Sequence, residues 1–94
     1  MFMKNPSHPG EMISDSFEEL GISVTAAAKA LGVSRQQLHN VISGRSSITA
    51  DMACRLEQAL GSTASTWLTM QANYDLAQIR NRPEQIKISR LVAA

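Results

Sequence analysis

Apolar residues recur along this chain at helical spacing, and short punctuation signals separate the repeats. In "EMISDSFEEL", Ile13, Phe17 and Leu20 fall at i, i+4 and i+7, which predicts a one-sided helix entered through Pro9 and Gly10 and closed by Gly21. Its opposite face is acidic. Ser23 caps a second helix, "VTAAAKAL", whose alanines let another helix cross close above them, and Gly32 ends it. Ser34 followed three residues later by Gln37 is a capping box, so a third helix runs from Arg35 to about Ser43, with Gly44 placed to close it in the left-handed conformation. Thr49 caps "ADMACRLEQAL", where Met52, Ala53, Leu56, Ala59 and Leu60 share one face and Gly61 terminates. The last helix starts near Thr63 or Ala64 and continues until Pro83 disfavours helix in the residue before it. In the tail, about residues 83–94, Ile86 and Ile88 alternate as in a strand, but two positions do not establish one and disorder fits equally well.

The second and third helices are joined by "GVS", which makes a helix-turn-helix over roughly residues 24–43. With Gly32 as the turn glycine, Ala28 sits where the helices cross, and Leu31, Val33, Leu38 and Val41 are the apolar positions that hold them together. At about 100° per residue, Leu38, Val41 and Ile42 of the third helix cluster toward the core. Gln36, Asn40 and Ser43 point away, with Arg35 and His39 on one shoulder and Gln37 on the other.

An outward face of amides suits the edges of base pairs. Gln and Asn pair with adenine N6 and N7, and Arg pairs with guanine O6 and N7. Exposed amides also serve simply to solvate a helix; the turn frame around them is what selects DNA reading. Phosphate contacts then have candidates at both ends of the motif. The helix starts at Ser23–Val24 and at Ser34 offer N–H groups and a hydroxyl, and "SGRSS" offers Arg45 with the hydroxyls of Ser43, Ser46 and Ser47.

Composition agrees with an all-α chain: 44% hydrophobic residues, 4% aromatic, many Ala and Leu. Ninety-four residues hold one core, so residues 1–94 are expected to form a single domain. The net charge of +1 hides a gradient. Residues 5–19 carry Glu11, Asp15, Glu18 and Glu19 without a Lys or Arg, whereas residues 20–50 carry Lys29, Arg35 and Arg45 without an acid. Three cations in the motif region are few, so one copy should bind DNA weakly and with strong salt dependence. A dimer would double the contacts.

The last helix carries a surface for that dimer. Trp67, Met70, Tyr74 and Ala77 form one apolar stripe; Leu68, Ala72, Leu76 and Ile79 form another on roughly the opposite side. A helix buried on one side needs one stripe, so the other is expected to meet a second subunit, unless the helix is wedged within its own domain.

Catalytic and metal chemistry find little support. His39 has no second ligand one helical turn away, His8 and Glu11 of "HPGE" suit helix entry, and Cys54 on a core-type helix reads as a packed thiol. Neither a cofactor nor an enzymatic activity is expected. A single cysteine, no apolar run long enough to cross a bilayer, and an N-terminus without the apolar stretch of a secretion signal point to the cytoplasm.

The chain resembles the HigA family of antitoxins, a branch of the lambda-repressor-like helix-turn-helix proteins also described as plasmid maintenance antidote proteins. The resemblance spans roughly residues 8–79 and is carried by "HPGEM", "LGIS", "AAKALGVSRQQLHNVISGRSSIT", "DMACRLEQALG" and "STWLTMQANYDLA", the last piece setting this branch apart from phage-type repressors. It implies a five-helix fold, a homodimer, repression of the antitoxin's own toxin–antitoxin operon, and neutralisation of a toxin that cleaves translated mRNA. It also places base reading on Arg35, Gln36 and Asn40, with Gln37 and His39 nearby. A ribonuclease toxin is expected to be small and basic, which makes Glu11, Asp15 and Glu18, spaced at i, i+4 and i+7, a candidate docking face; a plain solvated face fits the same spacing. Two other functions remain open at this point: a stand-alone repressor without a toxin, and a helical interaction module that binds no DNA.

Overall fold

The computed structural model describes residues 7–92 and contains five helices: α1 (Pro9–Glu19), α2 (Val24–Leu31), α3 (Arg35–Ile42), α4 (Ala50–Leu60) and α5 (Ala64–Asn81). The N-terminal segment considered above as a possible signal lies, through residue 6, outside the described residues, as do residues 93 and 94 of the tail. Four of the five helix starts are held by Ser or Thr hydroxyls. Ser23, Ser34, Thr49 and Thr63 each accept from a backbone N–H three residues on, which satisfies one of the donors that a helix start leaves orphaned.

α1 starts differently. His8 is its N-cap, and His8 Nδ1 accepts from the Gly10 N–H at 2.9 Å, while the ring stands edge-on to Tyr74 of α5 with centroids 4.7 Å apart. The helix-entry role expected for His8 is therefore the one observed. Gly10 is buried because α1 meets the C-terminal end of α3 there: a Cβ on Gly10 would collide with the Val41 carbonyl and stand 2.6 Å from the Ile42 carbonyl.

The core forms where these helices converge. Ile13, Leu38, Ala53 and Leu56 are fully buried, with Phe17, Leu31 and Trp67 around them. The α2–α3 crossing is close because Ala27 and Ala28 are buried and add little side chain between the backbones. Gly32 and Gly44 adopt φ 73° and 81°, the left-handed region that a Cβ disfavours, and so turn the chain sharply at each end of α3.

Three core expectations are corrected. Leu20 is 61% exposed, because it is the C-cap of α1 and the chain turns away at Gly21 before that side chain reaches the core. Ala59 is exposed and lines an open groove between α2 and α4. Cys54 is exposed: with Met52, Ala53 and Leu56 turned inward, residue 54 falls on the far side of α4. The tail forms no strand over its described residues, and Ile86 and Ile88 are exposed. α5 ends at Asn81, with Arg82 extended before Pro83 as expected, and Gln85 Nε2 donates to the Arg82 carbonyl at 2.6 Å and to the Arg80 carbonyl at 3.2 Å.

Candidate nucleic-acid interface

α3 stands on the molecule through Leu38 and Val41, both buried, and Ile42, half-buried. That anchoring turns Arg35, Gln36, Gln37, His39 and Ser43 outward, with Asn40 half-buried among them. Gln36 Nε2 donates to Asn40 Oδ1 at 2.9 Å, one helical turn along. The bond orders the pair and leaves Gln36 its carbonyl oxygen and a second N–H, one acceptor and one donor turned outward.

The polar groups around this pair have different jobs. Ser34 Oγ accepts from the Gln37 N–H at 3.0 Å, and Gln37 Oε1 accepts from the Ser34 N–H at 2.9 Å, which completes the capping box. This narrows the role open to Gln37, whose side-chain oxygen is committed to the helix start and whose NH₂ group alone is left to meet a partner. Ser43 Oγ donates to the Asn40 carbonyl at 3.3 Å, so its hydroxyl proton is engaged as well. Arg35 and His39 extend the outward face beyond the amides.

The phosphate candidates bracket α3. After the helix, the Ser46 N–H donates to the Asn40 carbonyl at 3.0 Å and folds the loop back, leaving Arg45 and Ser47 exposed and Ser46 half-buried. Among the described residues, no carboxylate pairs with Arg35 or Arg45. At the start of α2, Ser23 Oγ accepts from the Ala26 N–H at 3.1 Å and the Ser23 carbonyl accepts from the Ala27 N–H at 2.8 Å. The preceding amides of Val24 and Thr25 lie before the first helical bond, where an anion is a suitable acceptor.

Two residues that hold this surface were missed in the sequence. Arg55 of α4 donates through Nη1 to the carbonyls of Leu31 at 2.8 Å and Gly32 at 3.3 Å, clamping the turn between α2 and α3. Its i, i+4 pairing with Asp51, 2.6 Å, was visible as spacing; the clamp was not. Gln71 of α5 is buried and accepts from the Ile48 N–H at 2.9 Å. A Gln one turn beyond Trp67 on the inward stripe was the available signal.

α5 separates its stripes clearly. Trp67 and Ala77 are buried and Met70 and Tyr74 half-buried, whereas Leu68, Ala72, Leu76 and Ile79 are exposed. Glu11, Asp15 and Glu18 of α1 are exposed too, and Glu11 and Asp15 line a groove between α1 and α5 with Met12 and Met70. Among the described residues, no three His, Cys, Asp or Glu side chains lie together as a metal site would require, and no helix is long and apolar enough to cross a membrane.

A capped outward helix and a clamped glycine turn between two packed helices define a helix-turn-helix protein. The helix-turn-helix family model matches residues 15–68. Virulence-associated protein A' of Dichelobacter nodosus is 47% identical over 82% of this chain and 68% of its own length. Antitoxin HigA-1 of Vibrio cholerae is 40% identical over 87% of this chain and 78% of its own. The structure of antitoxin GraA in complex with its operator superposes with a TM-score of 0.80 at 38% identity, covering 95% of this chain and 94% of that one. The chain belongs to the helix-turn-helix family, in its HigA antitoxin branch.

Proposed function

We propose that this chain is a cytoplasmic, single-domain antitoxin that represses its own toxin–antitoxin operon as a homodimer and neutralises a partner mRNA-cleaving toxin by binding it. The observation that carries the DNA part is the Gln36–Asn40 pair held outward on a capped helix between two sets of phosphate donors. Its similarity to an antitoxin solved on its operator supports that use of the face. Arg35, Gln36 and Asn40 read bases, with His39, Ser43 and the Gln37 NH₂ group at the margin. The amides at Ser23–Val24, the Ser34 hydroxyl, Arg45, Ser46 and Ser47 hold phosphates.

The exposed stripe Leu68, Ala72, Leu76 and Ile79 joins two copies, placing two reading helices about 34 Å apart on a palindromic site. Doubling the few cations of one copy gives the affinity that a single copy lacks. The toxin is read as a small basic ribonuclease, attracted to Glu11, Asp15 and Glu18 on α1.

The test uses the DNA upstream of the chain's own reading frame. Gln36→Ala with Asn40→Ala should abolish specific binding, each lost base contact costing about 1–3 kcal/mol, with melting nearly unchanged. Absence of any specific wild-type complex at moderate salt refutes the repressor. Reversing Glu11, Asp15 and Glu18 to Lys should weaken capture of the product of the adjacent reading frame while sparing DNA binding; unchanged capture refutes that docking face, and no capture by the wild type leaves a stand-alone regulator.

A further inference from the structure

We infer that Gln71 is a positioning residue for DNA binding, oriented by Asp75 on the exposed face of α5 and acting on the phosphate-contacting loop after α3; this rests on the DNA-binding reading above. Gln71 is a buried polar side chain, 5% exposed. Its Oε1 accepts from the Ile48 N–H at 2.9 Å, and its Nε2 donates to Asp75 Oδ1 at 2.9 Å. Ile48 is 4% exposed, so water has little access to replace the first bond.

Those contacts tie the loop at both ends. At the α3 end, the Ser46 N–H is held by the Asn40 carbonyl at 3.0 Å; at the α4 end, the Ile48 N–H is held by Gln71. Between and beside these ties lie Arg45, Ser46 and Ser47. A loop ordered before binding surrenders less conformational entropy when its donors meet phosphates. Gln71 therefore holds the phosphate donors in place without touching DNA.

Asp75 supplies the direction. A side-chain amide has two orientations, and a flipped Gln71 would face its NH₂ toward the Ile48 N–H and its oxygen toward a carboxylate. Both contacts would then be repulsive. The Asp75 carboxylate thus selects the amide orientation that serves Ile48. At about 100° per residue, Asp75 falls just outside the arc of Leu68, Ile79, Ala72 and Leu76, next to Leu68 on the side toward Gln71, so this carboxylate sits at the edge of the stripe assigned to the second copy. Association that shields Asp75 from water strengthens its hold on Gln71, and through Gln71 the loop. The helix that joins the copies is in this way bonded to the segment that meets the backbone of the DNA.

The test compares three variants on the DNA upstream of the chain's own reading frame, with sedimentation to confirm equal oligomeric state. Gln71→Met keeps the side-chain length and removes both bonds; it should speed hydrogen exchange at the Ile48 amide, weaken DNA about tenfold and lower the salt slope by about one. Gln71→Glu combined with Asp75→Asn restores an acceptor for Ile48 and reverses the second bond, and should recover affinity to within about threefold of wild type. Should Gln71→Met fail to fold, Asp75→Ala leaves the buried acceptor in place and should weaken binding about threefold. Unchanged affinity and slope in a folded Gln71→Met or Asp75→Ala chain overturns the inference, as does a double variant that binds no better than Gln71→Met. A wild type without specific binding overturns the repressor reading itself, and this inference with it.

Discussion

Replacing Arg55 by methionine keeps the aliphatic stem that lies between α2 and α4 and deletes every donor at its end. Arg55 Nη1 donates to the Leu31 carbonyl at 2.8 Å, a part-buried bond, and to the Gly32 carbonyl at 3.3 Å; both carbonyls stand at the end of α2, where intrahelical partners run out. Its Nε pairs with Asp51, whose side chain is 74% exposed, so that ion pair sits in water and contributes about 0.3–0.5 kcal/mol. A hydrogen bond from a charged donor to a part-buried carbonyl is worth more, about 1.5–3 kcal/mol. Arg55→Met should therefore cost about 2 kcal/mol, which in a domain of this size lowers Tm by about 8–16 °C. Asp51→Asn should cost no more than about 0.5 kcal/mol. Thermal and urea unfolding followed by circular dichroism measure both. Well below Tm, Arg55→Met should also weaken specific DNA binding more than Asp51→Asn does, because the clamp sets the angle at which α3 leaves α2. The reasoning is refuted if Arg55→Met costs less than about 0.5 kcal/mol, or if Asp51→Asn costs as much as Arg55→Met.

Three further outcomes follow from other contacts. Gly10→Ala drives a Cβ into the carbonyls of Val41 and Ile42, and should destabilise the fold by about 1–3 kcal/mol in urea melts; a neutral result would show that α1 and α3 separate freely. Ser34→Ala removes one half of the capping box and should cost about 1 kcal/mol, with Ser34→Asp recovering most of it; equal stability of both variants would argue against the cap. Leu76→Glu with Ile79→Glu, at positions 46% and 40% exposed, should give a monomer in sedimentation with little loss of monomer stability, and a persisting dimer would move the interface elsewhere.

Much of the fold is legible in the sequence because its signals are local. Ser34 and Gln37 specify the start of α3 from three residues apart, Gly32 and Gly44 bound it, and the spacing of Leu38, Val41 and Ile42 determines which side faces inward. The outward amides follow from the same register, so the polar face of α3 could be named from sequence alone. Tertiary structure decided what depends on partners distant in the chain. The clamp joins Arg55 to a carbonyl 24 residues away, and Gln71 reaches Ile48 across 23 residues, which no local pattern encodes. Gly10 reads as helix entry until the backbone of α3 is found against it. Cys54, Ala59 and Leu20 look inward by residue type, yet the packing of neighbouring helices leaves them at the surface. Both stripes of α5 are apolar, and periodicity gives them equal claim to the core. The choice of the Trp67 stripe is made by which elements lie against α5, because burial belongs to the whole assembly of helices and not to any one of them.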